Sequence, residues 1–358
     1  MLNIYFGLVV FILIAAYLFR GDERRNTFLF LAFFALFFVM GFRHAAVVGV
    51  DSTTSYLSSF KKMDSYSFVM ENNFAFYLWM KLIYTITNGN YHLYCIITSA
   101  FVMFAYYYVV KKYSKKPLIS ILWFMGMLFY TFMFSALKQT YAMALLCFAF
   151  DAIMKKNPIR FILLVSFAAC FHLPALIFLP AYWIAKMNIG RAYFLLLGLV
   201  LVVVFVFRSQ ILNWMMSGYK GEEATFASTD ASFFGVKVSI MLIIAVIAFV
   251  LRMPDKEDRL YSVLLMFIGV SIVLQTFSGY SNIFERLADY YFVFSILFIS
   301  MPFENQGEYK TLVAEESLPT INVWATVIVS VFCIWRFLST VNNVASQLLP
   351  YKFCWQPL

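Results

Sequence analysis

Apolar runs separated by short polar segments leave this chain few folds to adopt. The runs fall near 2–19, 27–42, 74–87, 91–110, 118–134, 136–153, 160–185, 192–207, 236–251, 260–276, 287–302 and 320–339. A perpendicular helix needs about 20 residues to cross the hydrocarbon, roughly 17 at the low end, which predicts an all-α polytopic membrane protein with about 11–12 membrane-embedded helices. Composition agrees: 63% of residues are hydrophobic, 13% are charged, and the mean hydropathy is +0.82, whereas a soluble domain carries about 25% charged residues. No polar stretch is long enough for a soluble domain, so 1–358 reads as a single integral membrane domain. The opening MLNIYFGLVVFILIAAYLF lacks a basic leader and a small-residue cleavage site and reads as a retained first span.

The formal charge of +9 does not point to nucleic acid, because the cations sit in short clusters beside apolar runs. That is how topology is encoded. The clusters are RGDERRN (20–26), KKYSKK (111–116), KKNPIR (155–160), KMNIGR (186–191) and RMPDKEDR (252–259), all expected on the cytoplasmic side. Parity then tests which runs cross. FAFYLWMKLIYTIT (74–87) is short, holds Lys81 and is rich in Tyr and Trp, so it is laid along the outer surface as a juxtamembrane helix. The stretch 43–90 becomes an external loop with an interfacial helix. In 160–185, Pro174 and Pro180 suggest a break after His172, since proline removes a backbone donor and clashes with the preceding turn. Two short legs would return the chain to the cytoplasm; a single kinked helix is the competing reading. The segment 208–235, the loop 277–286 and the tail 342–358 fall outside, and 304–317 falls inside.

With this topology the ionisable residues at external helix ends converge on one face. They are Arg43, His44 and Asp51 after the second run, Lys138 in SALKQT, His172 at the break, and Glu285, Arg286 and Asp289 after GYSN. Charge at membrane depth costs about 2.5–3.5 kcal/mol on insertion scales, so such groups face a cavity or a partner. Cations with a histidine and carboxylates suit a phosphate carried on a lipid tail. Tyr290 and Tyr291, within a turn of Arg286, could line a sugar site. Plainer roles fit each residue too: a snorkelling helix-end cation for Arg43 or Lys138, a helix cap for Asp51, a helix-end hydrogen bond for His172, and an intrahelical ion-pair set for Glu285, Arg286 and Asp289. There is no Gly-rich phosphate loop and no HExxH. The three histidines and five cysteines lack metal-ligand spacing, so no metal or cofactor is expected.

Several motifs occur in a fixed order: GFR with GVDSTTSYLSSF, ENNFAFYLWMKLIY, NGNYHLYCII, ALKQTYAMAL, KKNPIRFILLVSFAACFHLPALIFLPAY, NIFERLADYYFVFSILFISMP and the PYKFCW tail. Together they resemble the EpsG family of bacterial membrane proteins, over about residues 27–302 plus the tail. The resemblance implies a Wzy-type polysaccharide polymerase in the bacterial cytoplasmic membrane, with a layout similar to GT-C membrane glycosyltransferases. It implies transfer of a glycan from an undecaprenyl-diphosphate carrier to another lipid-linked repeat unit, and a chain-length co-polymerase as a plausible partner. Asp51 and His172 become the candidate catalytic residues. Arg43, His44, Lys138, Gln139, Arg286, Tyr290 and Tyr291 become candidate diphosphate and sugar contacts. Where the family commonly has arginine, this chain has Lys138, which keeps the charge and loses the bidentate fork. A flippase or exporter and a membrane O-acyltransferase are the alternatives.

Overall fold

The computed structural model describes residues 3–67, 73–187, 191–217, 237, 239–243, 246, 258–278, 282–302 and 318–357. Helices dominate, and the one β element among the described residues is an isolated bridge between Arg43 and Phe353. The chain is an all-α polytopic membrane protein. In chain order the helices are α1 (Ile4–Leu18), α2 (Arg25–Gly41), α3 (Leu57–Lys61), α4 (Phe74–Ile86), α5 (Tyr91–Tyr113), α6 (Pro117–Gly126), α7 (Phe129–Phe132), α8 (Leu137–Met154), α9 (Pro158–Phe171), α10 (Ala181–Ile184), α11 (Arg191–Ser217), α12 (Arg259–Gln275), α13 (Asn282–Phe292), α14 (Ser295–Phe298) and α15 (Leu318–Val341). Among the described residues, four segments are long and apolar enough to cross a membrane: Asp22–Gly41, Tyr91–Tyr113, Leu137–Met154 and Thr320–Val341. Shorter apolar helices account for most of the other expected spans.

Local sequence explains where these helices start. Side chains of Asn3, Asn90, Asn157 and Asp258 accept the backbone N–H three residues on, capping α1, α5, α9 and α12. Pro117 and Pro158 occupy first-turn positions, where the missing N–H costs nothing. Breaks are equally local. The run 118–134, expected as one span, splits into α6 and α7 because Leu128 adopts a left-handed φ of 68°. The run 287–302 likewise splits into α13 and α14. The expected break at His172 is present: α9 ends there in extended backbone (φ −153°, ψ 103°), and a 3-10 turn Leu173–Phe178 follows before α10. The second leg is thus a 3-10 turn followed by the single-turn α10. The boundary at 208 is corrected, since α11 runs on to Ser217; residues 218–235 and most of 236–251 lie outside the described residues.

The chain divides into two compact units, Met1–Leu176 with Val323–Leu358, and Ile177–Asn322. In the first unit, α8 forms the centre with 83% of its apolar window buried, whereas α15 is peripheral at 11%. A cluster of Tyr5, Tyr130, Phe134 and Phe337 rings, with centroids 5.2–6.4 Å apart, ties α1 and α15 to the α7–α8 corner. Gly126 lets α6 meet α15 closely, because a Cβ there would lie 2.6 Å from the Cys333 Cα. In the second unit, Phe178, Phe267, Tyr291 and Phe294 pack together with centroids 5.0–5.7 Å apart. There Gly269 leaves room for Tyr193, whose hydroxyl would sit 2.3 Å from an added Cβ.

Candidate functional site

Helix directions in the first unit sort its polar groups to two ends. Arg25 at the start of α2 donates to the Ser114 carbonyl just past α5 (2.8 Å), while His44 after α2 meets His92 at the start of α5. The two helices are therefore antiparallel. Thr98 and Tyr141 share a hydrogen bond (2.6 Å) near the starts of α5 and α8, and Lys112 pairs with Asp151 near their ends. At the second of these ends Asp151 is fully buried, takes a hydrogen bond from the Tyr113 hydroxyl (2.7 Å), and is surrounded by Lys112, Lys155 (3.0 Å) and Arg160 (3.9 Å). The three basic clusters 20–26, 111–116 and 155–160 thus share one end.

At the opposite end the remaining polar segments meet. Val50 N–H donates to Ser135 Oγ (3.1 Å), and Gly49, at φ +99°, fits against Phe134, whose carbonyl would be 2.5 Å from an added Cβ. Lys138 Nζ, one turn further on α8, donates to the Tyr77 hydroxyl (2.8 Å) on α4. Asn73 Oδ1, preceding α4, accepts from Leu173 N–H (3.3 Å), beside His172. These contacts bring the segments that carry Asp51, Lys138 and His172 to the same end of the unit. Asp51 is half-exposed at the head of a π-helical stretch, Ser52–Tyr56, that leads into α3, and it has no ion pair among the described residues. Such π segments occur frequently at functional sites. Lys138 is half-buried, also without a carboxylate partner among the described residues, and lies over the Tyr77 and Phe76 rings at 4.6 and 5.6 Å. Gln139 is buried on the next position of α8.

Arg43 is corrected. It is only 1% exposed: Nη1 donates to the Met40 carbonyl, and the guanidinium lies 5.1 Å from the Phe134 ring centroid. The C-terminal tail seals it in. His44 N–H donates to the Lys352 carbonyl (2.7 Å), Cys354 N–H to that of Phe42 (2.8 Å), and Gly49 N–H to that of Gln347 (2.9 Å). The Tyr351 hydroxyl donates to the Val39 carbonyl (2.8 Å), and burial pushes that phenol above its ordinary range. In this conformation the Arg43 guanidinium is enclosed, while the backbone around it holds the tail. His44 is also buried, its ring 5.0 Å from that of His92, and the Nδ1 atoms of both have no hydrogen-bond partner.

In the second unit, Tyr290 and Tyr291 lie on the inward face of α13. Both rings are buried in the helix core, and the Tyr291 hydroxyl donates to the Ile177 carbonyl (2.8 Å), so neither offers a face to a sugar. Arg286 is exposed on α13. Its neighbours Glu285 and Asp289 are both bound by Lys237, which replaces the expected intrahelical pairing with a longer-range one. Reading the sequence missed Lys237, His92, Tyr66 and Tyr77. The aromatic run of ENNFAFYLWMKLIY was a usable signal for Tyr77, whereas nothing local announced Lys237. Among the described residues no three of His, Cys, Asp or Glu gather as a metal site.

A family model for the EpsG family matches residues 26–353. The chain belongs to the EpsG family. EpsG is a Wzy-type polymerase family, so membership supports a polysaccharide polymerase-like role and, with the apolar helices, a membrane setting. No curated protein and no solved structure matches the sequence. The EpsG match spans the α2 exit, the α4–α8 contacts, the His172 break and the tail.

Proposed function

We propose that this protein is a Wzy-type glycosyltransferase of the bacterial cytoplasmic membrane. It extends a glycan by moving it from undecaprenyl diphosphate to a second lipid-linked repeat unit at the outer face. The observation that carries this reading is the polarity of the first unit. Its basic clusters and the ion-paired Asp151 occupy one end, which positive-inside bias makes cytoplasmic. The segments carrying Asp51, Lys138 and His172 lie at the other end, and this supports the reading because neither Asp51 nor Lys138 has an ion-pair partner among the described residues. An exporter would need charges reached from both leaflets, and an acyltransferase would want its histidine at the cytoplasmic end; this arrangement favours neither.

In the proposed reaction the acceptor hydroxyl oxygen attacks the anomeric carbon of the donor glycan. The bond from that carbon to the diphosphate oxygen breaks, and the lipid diphosphate leaves with the electron pair. Asp51 takes the hydroxyl proton, since an ionised carboxylate within hydrogen-bond reach can act as general base. Lys138 stabilises the charge growing on the leaving diphosphate, the kind of fixed electrostatic contact that gives large rate effects. His172 orients the acceptor. Purified protein given lipid-linked repeat units tests the reading directly. Lengthened glycan is expected; acylated glycan, or no product from a folded protein, would overturn it.

A further inference from the structure

We infer that Tyr66, Tyr77 and Lys138 form a phosphosugar subsite: an ammonium that takes the anomeric phosphate and a stacked tyrosine pair that walls the adjoining sugar ring. It rests on the polymerase reading above and specifies which part of the donor is held on α4. Three observations build it. First, the Tyr66 and Tyr77 rings are stacked, with centroids 6.0 Å apart and planes inclined by 28°, and both are half-exposed. Second, the stack is braced from below. Lys81, one turn after Tyr77, donates to the Met63 and Asp64 carbonyls, which fixes the 3-10 turn Met63–Ser65 on α4 and delivers Tyr66 at its end. Third, Lys138 reaches this pair from α8 through the Tyr77 hydroxyl at 2.8 Å.

An ammonium has three donors. Tyr77 takes one, and no carboxylate among the described residues pairs with the charge. The proposal assigns that open place beside the ammonium to the anomeric phosphate. A flat ring pair with polar hydroxyl tips beside that cation offers an apolar face and hydrogen bonds together. A sugar ring bonded to phosphate presents the matching surface: a C–H face, hydroxyls at its rim and an anion at one end. Free phosphate would use the lysine alone. Tyr77 acts through Lys138 and is a positioning residue, since its hydroxyl holds the ammonium that lysine's flexible stem would otherwise leave loose.

The test uses the full-length protein in detergent and calorimetric titration with two probes: a short polyprenyl diphosphate, and the same carrier bearing one N-acetylglucosamine. Wild type is expected to prefer the sugar-bearing carrier. Tyr66→Ala removes that preference, about three- to tenfold, and leaves the bare carrier's affinity unchanged, while Tyr66→Phe retains the preference. Lys138→Gln weakens both carriers alike. Tyr77→Phe weakens both less and keeps the preference. A Tyr66→Ala protein with wild-type preference, a wild type with none, or a Lys138→Gln protein with unchanged affinities overturns the subsite. Glycan lengthening by wild type, measured separately, reports on the polymerase reading, so the two can fail independently.

Discussion

The two ends of the first unit treat their carboxylates in opposite ways. Asp151 is fully buried, with Lys112, Lys155, Arg160 and the Tyr113 hydroxyl crowded around it. Asp51 is half-exposed and has no cation beside it among the described residues, while the cation of its end, Lys138, leans on neutral aromatic groups. A charge saturated by its own chain serves the fold. A charge with no ion-pair partner among the described residues, in a region where insertion is costly, is the better candidate for meeting a ligand. In the second unit the charges are drawn into pairs as at the Asp151 end: Lys237 takes both Glu285 and Asp289.

Substituting the two aspartates reciprocally is the sharpest way to break this comparison. Asp51→Asn is expected to cut polymer elongation by about 10²–10⁴, the range for losing a general base, with thermal stability changed by less than about 0.5 kcal/mol. Asp151→Asn should do the reverse and destabilise by about 1–3 kcal/mol, because a buried carboxylate loses its charge-assisted hydrogen bonds while the three part-exposed cations left around it stay screened by solvent. Melting curves and lipid-linked glycan assays on both variants decide it, and an Asp151→Asn protein of normal stability would end the contrast. Next in size, Gly49→Ala should cost about 1–3 kcal/mol, since it places a Cβ in a left-handed backbone facing the Phe134 carbonyl. Tyr351→Phe should cost about 1 kcal/mol and speed protease cleavage of the tail, as one buried hydrogen bond is lost.

The smallest effect is on pH. Burial raises the Tyr351 phenol above its ordinary value, so the folded form prefers the neutral hydroxyl. Its contribution is fully present below about pH 10, the ordinary phenol value, and falls as pH rises above it. Tail cleavage by protease should therefore be flat from about pH 6 to 9 and accelerate in stronger alkali. A Tyr351→Phe protein should lose that alkaline component.

Much of the helix map was legible because its causes are local. Asn caps, first-turn prolines and long apolar runs mark helix starts within a few residues of where they occur. The break at His172 was legible for the same reason, with Pro174 two positions on. Leu128 was not, because a leucine at φ 68° carries no sequence warning and is imposed by packing. The cationic clusters predicted which segments of the first unit share an end. Burial was harder to read. Arg43 looked like an exposed rim cation because the segment that covers it lies some three hundred residues away in the tail. Tyr290 and Tyr291 looked available beside Arg286, and the helix turns them into the core instead. Lys237 was hidden by distance from Glu285, and Tyr66 by the need to see the turn that Lys81 holds.

The clasp between residues 42–49 and 347–354 has a consequence for biogenesis. A ribosome makes the Arg43 segment early and the strand that closes over it only after α15 has emerged. Until then the carbonyl of Phe42 and the N–H groups of His44 and Gly49 lack their final mates. The end of the molecule that bears Asp51 and Lys138 is therefore completed last, after the second unit has been synthesised. A polypeptide stalled or cut before residue 347 would hold all the candidate catalytic residues and still lack the piece that sets them.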